Sequence, residues 1–171
     1  KSDAYALLNR MNQDFVDLVR ASGGNNATRH LLIAGYWTDI AESCAGINMP
    51  TDPAGRCILS VHYYTPWQFC INGSPATWGS AAELTQLQTL FGQLKSTFID
   101  AGVPVIVGEF GAVATTESAS RVYWMENVTK TAYDMGAATF LWDNGEEFNR
   151  STLTFRTAGL MDALHIVGGL G

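Results

Sequence analysis

The sequence is short of the residues that would point to a metal centre, a disulfide scaffold or a polyanionic partner. Cysteine occurs three times, at Cys44, Cys57 and Cys70. That odd count, without CxxC spacing, gives neither a disulfide framework nor a zinc site. It leaves a Cys44–Cys70 bridge open, and Cys57, inside an apolar run, reads as a buried thiol. His30, His62 and His165 lack metal-type spacing. Positive charge is scarce, with 10 Lys and Arg against 16 Asp and Glu and a formal net charge of −6. Such a chain repels phosphate backbones, which argues against nucleic acid as a partner. No apolar run reaches the roughly 18 residues of a membrane span, so no membrane partner is expected. No P-loop, GxGxxG or Gly-x-Ser-x-Gly elbow is present. No secretory leader is read, and the chain opens directly into a helix, as expected of a fragment.

What is present is an ordinary globular composition: 171 residues, 47% hydrophobic and 15% charged. That suffices for one domain over 1–171, and no linker or low-complexity stretch divides it. Aromatics reach 11%, and several fall in loops instead of periodic apolar runs. Asn26-Ala27-Thr28, Asn72-Gly73-Ser74, Asn127-Val128-Thr129 and Asn149-Arg150-Ser151 match the glycosylation sequon, a three-residue pattern of little weight.

Periodicity gives the element order. Ala4, Leu7, Leu8, Met11, Phe15, Leu18 and Val19 recur at helical spacing, and Gly23-Gly24 ends that helix. Residues 31–35 read as a buried strand. A loop with Gly46, Pro50, Pro53 and Gly55 follows, with room for a helical turn. Cys57–Tyr63 reads as the second strand and 64–79 as a loop. Ser80-Ala81-Ala82-Glu83 opens a helix in the capping-box pattern, with Leu84, Leu87, Phe91, Leu94 and Phe98 along one face. Val103–Val107 is the third strand, 118–135 a helix stopped at Gly136, Ala137–Trp142 the fourth strand and Met161–Val167 a last short helix. The tail 168–171 is expected to fray. Apolar strands alternating with helices imply an α/β fold with a parallel sheet. Two architectures fit: a small doubly wound sheet of flavodoxin type, or half of a (β/α)8 TIM barrel, since a full barrel takes about 250 residues.

In either architecture, ligands meet the carboxyl ends of the strands. Those ends carry His62, Tyr63 and Tyr64 on the second strand, Gly108-Glu109-Phe110-Gly111 on the third, and Trp142, Asp143 and Asn144 on the fourth. Glu109 is the sharpest signal. A carboxylate placed directly after an apolar strand costs several kcal/mol unless it is hydrogen-bonded or serves chemistry. A structural ion pair is the alternative reading. His62 and Tyr64, two apart on an extended strand, face one side, and both can hydrogen-bond a carboxylate. Trp142 suits a sugar platform or a core position equally.

Three motifs in order resemble glycoside hydrolase family five, the cellulases and related β-glycanases, over nearly the whole chain. Ser60-Val61-His62-Tyr63-Tyr64 resembles the family's sixth strand, Val105-Ile106-Val107-Gly108-Glu109-Phe110-Gly111 its nucleophile strand, and Leu141-Trp142-Asp143-Asn144-Gly145 the end of its eighth. The stretch from the opening helix through Tyr36 resembles the endoglucanase and xyloglucanase branch. The resemblance implies that the chain is strands five to eight of the barrel with their helices. It implies a secreted enzyme that hydrolyses β-1,4 bonds in cellulose or xyloglucan with retention, with no metal and no organic cofactor. Glu109 would be the nucleophile, Tyr64 a donor that lowers its pKa, and His62 a support for the acid/base carboxyl. Trp142 would stack beneath the sugar, with Trp37, Trp67, Trp78 and Asn144 lining the glycan cleft. The family's remaining site residues, an Arg, a His and the Asn-Glu pair that includes the acid/base, would precede Lys1. Glu146, Glu147, Asp39 and Glu42, all in polar loops, are poor replacements for it. The expected partners are therefore a β-glucan and either an N-terminal half-barrel chain or a second copy. A half lacking its acid is expected to be inactive alone. The alternative is a non-catalytic glycan-binding or self-associating fragment.

Overall fold

A computed structural model describes residues 1–167; the tail 168–171, expected to fray, lies outside the described residues. Helix α1 runs Ser2–Ala21, β1 Leu31–Ala34, α2 Ile40–Gly46 and β2 Cys57–Tyr63. Then come α3 at Ala81–Leu94, continued by one wide helical turn, and β3 at Val105–Phe110. Helix α4 spans Ser118–Met135, β4 Ala138–Leu141, a small antiparallel hairpin pairs the two-residue strands β5 (Phe148–Asn149) and β6 (Thr154–Phe155), and α5 is Leu160–Val167. The helix starts follow from side chains that satisfy free amides. Ser80 and Glu83 form the capping box of α3. The Glu117 carboxylate accepts the N–H groups of Ala119 and Ser120 at the head of α4, and Gly136 at φ 92° closes its tail. The helical turn anticipated among the prolines lies earlier, as α2, because the Asp39 side chain accepts the Glu42 N–H and caps it there.

The main sheet has the order β1-β2-β3-β4, all parallel. Sequential order agrees with the half barrel that the resemblance implied and excludes the doubly wound alternative. A doubly wound sheet must reverse its order at a switch point. Strands laid down in one direction by crossovers of one hand keep their helices on one face, as in a barrel wall. On that outer face Leu59, Val61 and Tyr63 of β2 and Val105, Val107 and Phe110 of β3 are buried against Leu87, Phe91 and Leu94 of α3 and Trp124, Met125 and Val128 of α4. Trp124 stacks on Tyr63 at 5.8 Å and donates its indole N–H to the Thr65 carbonyl at 3.0 Å, tying the core to the loop that leaves β2. The described residues include no helix long and apolar enough to cross a membrane.

Side chains alternate faces along a strand, so Glu109 should share the outer face with Val105 and Val107. It does not. The register slips between Val61↔Val107 and His62↔Glu109, which makes Gly108 the extra residue of a β-bulge. One inserted residue reverses every later side chain. Glu109 turns inward beside His62, and Phe110 turns outward into the core. A Cβ on Gly108 would lie 2.5 Å from Ser60 Oγ, so a side chain at the bulge requires the Ser60 hydroxyl to move.

The inner face is open. Leu32 of β1 and Phe140 of β4 are each 54% exposed. Helix α1 departs from the expected burial in the same way. Of its apolar stripe, Leu7, Met11, Phe15 and Leu18 are exposed. The face that docks is the adjoining one: Val16 is buried, and Asn9 and Asn12 donate to the carbonyls of Gly46 and Ala34. Arg20 completes that docking with a two-pronged bond to Asp52 at 2.7 and 2.9 Å, the side chains only 9% and 3% exposed. All three cysteines are free, which leaves no Cys44–Cys70 bridge, and Cys57 is half-buried beside Asp52 instead of fully buried.

Two outcomes follow. Gly108→Ala should destabilise the chain by about 1–3 kcal/mol through overpacking, with part recovered in Gly108→Ala/Ser60→Ala, as read by urea denaturation. The Arg20 guanidinium, with the amides of Arg56 and Ala54, holds the Asp52 carboxyl far below its ordinary value of 3.8. A depressed folded pKa contributes stability that is present above the unfolded value and lost as pH falls toward the folded one. The wild-type thermal midpoint should therefore fall steeply below about pH 4. Asp52→Asn should melt lower at neutral pH and show a flatter acid limb.

Candidate active site

The bulge sets Glu109 at the centre of the carboxyl end of the sheet. The Tyr64 hydroxyl donates to Glu109 Oε2 at 3.0 Å. His62 Nδ1 lies 3.3 Å from the same oxygen, the two side chains 29% and 30% exposed. Both contacts fall on Oε2, and Oε1 has no hydrogen bond among the described residues. The resemblance gave His62 to a second carboxyl; here it stands against Glu109 itself. Burial, and after it the bond to the Glu109 carboxylate, pushes the Tyr64 phenol well above its ordinary value of 10.0. Tyr64 therefore remains a donor at any physiological pH.

Tyr64 separates two cavities. One, of about 680 Å³, is bounded by Trp37, Thr38, Asp39, His62 and Trp67. Its aromatic wall is presented at a conformational cost. Trp37 sits at φ 55° and ψ 16° and Thr38 at φ 55°, left-handed conformations that disfavour ordinary residues by roughly 1–2 kcal/mol each. Trp37 stacks on Tyr36 at 5.0 Å and remains 78% exposed. The second cavity, of about 220 Å³, is bounded by Trp142, Asn144, Gly111, Glu146 and Glu147. Trp142 is 52% exposed and donates its backbone N–H to the Phe110 carbonyl, so it continues β4 one residue beyond Leu141, the strand partner of Phe110. The Asn144 side-chain oxygen accepts the Glu146 N–H at 3.2 Å, and the residue borders the second cavity.

The structure thus brings Glu109, His62, Tyr64, Trp142, Trp37, Trp67 and Asn144 to one end of the sheet. Trp78 is the exception. It is 7% exposed, packs on Tyr123 at 5.8 Å and belongs to the outer core, where its large apolar area is better buried than in a cleft.

Of the four other carboxylates, three are engaged in structural contacts and the fourth is on an exposed loop. Glu42 is bonded to Lys1 and to the Tyr5 hydroxyl. Asp39 caps α2. Glu146 is exposed on a loop. Glu147 is 3% exposed and lies against Arg121 and Thr157.

That last cluster escaped the sequence reading. Arg121 sits at the head of the buried stripe Trp124, Met125, Val128, Ala132 and Met135 of α4, and a charged residue on an apolar helical stripe was the available signal. Asp143 was also underread. Its carboxylate accepts the N–H groups of Gly145, Glu147 and Phe148 and pairs with Arg150 at 2.9 Å. Burial raises its pKa, but those bonds outweigh burial and leave it below the ordinary value.

Comparison with known proteins agrees with this geometry. A sequence profile of the cellulase family (glycosyl hydrolase family 5) matches residues 2–148. Endoglucanase B of Neocallimastix patriciarum is 35% identical over 180 aligned residues, covering 99% of this chain and 37% of that protein. The xyloglucan-specific endo-beta-1,4-glucanase of Bacteroides ovatus is 33% identical, over 86% of this chain and 34% of its own length. In three dimensions the chain superposes with a TM-score of 0.90 on a mutant glycoside hydrolase 5 lichenase from Caldicellulosiruptor sp. F32 in complex with cellotetraose, at 29% identity, covering 97% of this chain and 50% of that one. The chain therefore spans half or less of the length of each of these proteins. Its sequential parallel sheet matches half of their (β/α)8 barrel, and the chain belongs to glycoside hydrolase family 5, the cellulase family.

Proposed function

We propose that this chain is the nucleophile-bearing half of a retaining glucanase that cleaves β-1,4 bonds in plant cell-wall glucans such as cellulose or xyloglucan. One observation carries the reading: Glu109 is turned inward by a bulge, accepts on one oxygen the hydroxyl of Tyr64, a residue that borders both cavities, and has His62 against that same oxygen. Tyr64 and His62 fix Oε2, so Oε1 is the oxygen that attacks the anomeric carbon. The glycosidic C–O bond breaks as the glycosyl–Glu109 ester forms, and the leaving oxygen takes a proton from a carboxylic acid about 5–5.5 Å away. That group, now a carboxylate, deprotonates a water. The water attacks the anomeric carbon and frees Glu109 with net retention. Trp142 offers an indole face to the sugar at the cleavage point, and Trp37 and Trp67 offer platforms on the other side.

The second carboxyl comes from an N-terminal half-barrel. Two features support that partner. Glu42, Asp39 and Glu147 are engaged in structural contacts and Glu146 is on an exposed loop, and the exposed faces of Leu32, Phe140 and the α1 stripe are what a barrel's missing wall would cover. Polymeric glucan does not enter cells, so the assembled enzyme acts outside them. A second reading, a non-catalytic glycan-binding module, is favoured by the exposed Trp37, Trp67 and Trp142 alone.

The two readings separate in solution. Mixed with the N-terminal half, the chain should release reducing sugar from carboxymethylcellulose or xyloglucan; bound halves that release none would sink the enzyme reading. Glu109→Gln in that assembly should lower kcat by about three orders of magnitude or more while keeping cellotetraose affinity. Tyr64→Phe, which removes one bond to a charged group, should cost about ten- to a hundredfold in kcat. Because the Tyr64 phenol is raised, its loss as a donor should not limit activity near pH 10, its ordinary value.

A further inference from the structure

We propose that Arg121, Glu147 and Thr157 form a buried set of positioning residues that fixes the loop carrying Trp142 and Asn144; this deepens the glucanase reading and rests on it for its functional consequence. The three side chains come from α4, the loop after β4 and the segment after β6, and are 7%, 3% and 4% exposed. Arg121 Nη2 donates to Thr157 Oγ1 at 2.6 Å, and the Thr157 hydroxyl donates on to Glu147 Oε2 at 2.6 Å. Arg121 Nε faces Glu147 Oε1 at 3.3 Å. The hydroxyl thus relays between guanidinium and carboxylate and closes a ring across three segments of chain.

The arrangement is a poor one for stability. Arg121 Nε and Nη1 and Glu147 Oε1 are buried without a hydrogen-bond partner. A buried pair that is not fully satisfied is often bettered by apolar residues of similar volume. These atoms are also inaccessible, so they do not touch sugar directly.

What the ring does determine is where the loop sits. Glu147 borders the same cavity as Trp142, Asn144 and Tyr64. Its backbone is held too: its N–H donates to Asp143, and its carbonyl accepts the Arg156 N–H at 2.8 Å. Asp143 organises the loop within itself, whereas the ring joins the loop to α4 and hence to the core under Glu109. Without it, the loop keeps its turn but loses its fixed height over the sheet.

The test compares the wild-type chain with Arg121→Met/Glu147→Leu, Thr157→Val and Thr157→Ser. Removing both charges together leaves no orphan ion, so the double variant should melt within a few degrees of wild type. Amide exchange over residues 144–149 should nevertheless quicken by about ten- to a hundredfold, the factor that goes with losing a bond to a charged group. Thr157→Val should do the same, and Thr157→Ser, which keeps the hydroxyl, should restore slow exchange. In the enzyme assembled with its N-terminal half, the two loosened variants should lose a similar factor in kcat/KM on carboxymethylcellulose. Unchanged exchange in both the double variant and Thr157→Val overturns the proposal, as does exchange that speeds up only in step with global melting. If the wild-type assembly hydrolyses no glucan, the glucanase reading fails while the exchange comparison still decides the positioning role.

Discussion

A parallel strand alternates its side chains, and β3 breaks that alternation at one place. Val105 and Val107 face the helices, and without interruption Glu109 would follow them into an apolar core. The bulge at Gly108 reverses the order, setting a carboxylate inside and Phe110 outside. Both consequences are needed together. Phe110 fills the core beside Trp124 at 6.1 Å, and Glu109 reaches the hydroxyl of Tyr64. At the bulge stands a glycine that the Ser60 hydroxyl approaches closely enough that a Cβ would displace it. A local backbone irregularity therefore sets both the packing of the outer face and the chemistry of the inner one.

The rest of the site is arranged around that carboxylate by elements of unequal rigidity. His62 and Tyr64 are carried at the end of β2, a strand buried by α3 and α4. Trp142 and Asn144 stand on a loop, and loops need polar clamps in place of a core. Asp143 supplies one through three backbone amides, and the Arg121, Thr157 and Glu147 ring supplies another. On the opposite side, Trp37 is held out in a left-handed conformation and steadied by stacking on Tyr36. Strain of this kind persists only where surrounding structure enforces it.

The two faces of the sheet have different fates. The outer one is closed by the helices. The inner one leaves Leu32 and Phe140 half open to solvent, and α1 turns its apolar stripe outward. A fold that half-buries and hydrogen-bonds Asn9 and Asn12 while exposing Leu7, Met11 and Leu18 has its docking face specified by hydrogen bonds and its other face left for further packing. That pattern, with strands in sequential parallel order, is how part of a barrel wall should look when considered apart from the remainder.

By itself the sequence determined the alternation of strands and helices, most element boundaries, the capping box of α3, the stop of α4 at Gly136, and the motif residues Glu109, His62, Tyr64 and Trp142. These signals are local: periodicity, turn residues and short motifs act within a few positions of each other. Three motifs in order also implied a barrel wall over a doubly wound sheet, but only the tertiary structure showed the strand order itself, because order depends on which strands pair. It also moved Trp78 into the core, exposed the stripe of α1, shifted His62 onto Glu109 and joined Arg121 to Glu147 and Thr157. Each of those outcomes depends on residues far apart in the chain, whose meeting no spacing rule encodes. The inward turn of Glu109 lies between the two: the glycine beside it was visible, but the bulge it permits is defined only by the register of the neighbouring strands.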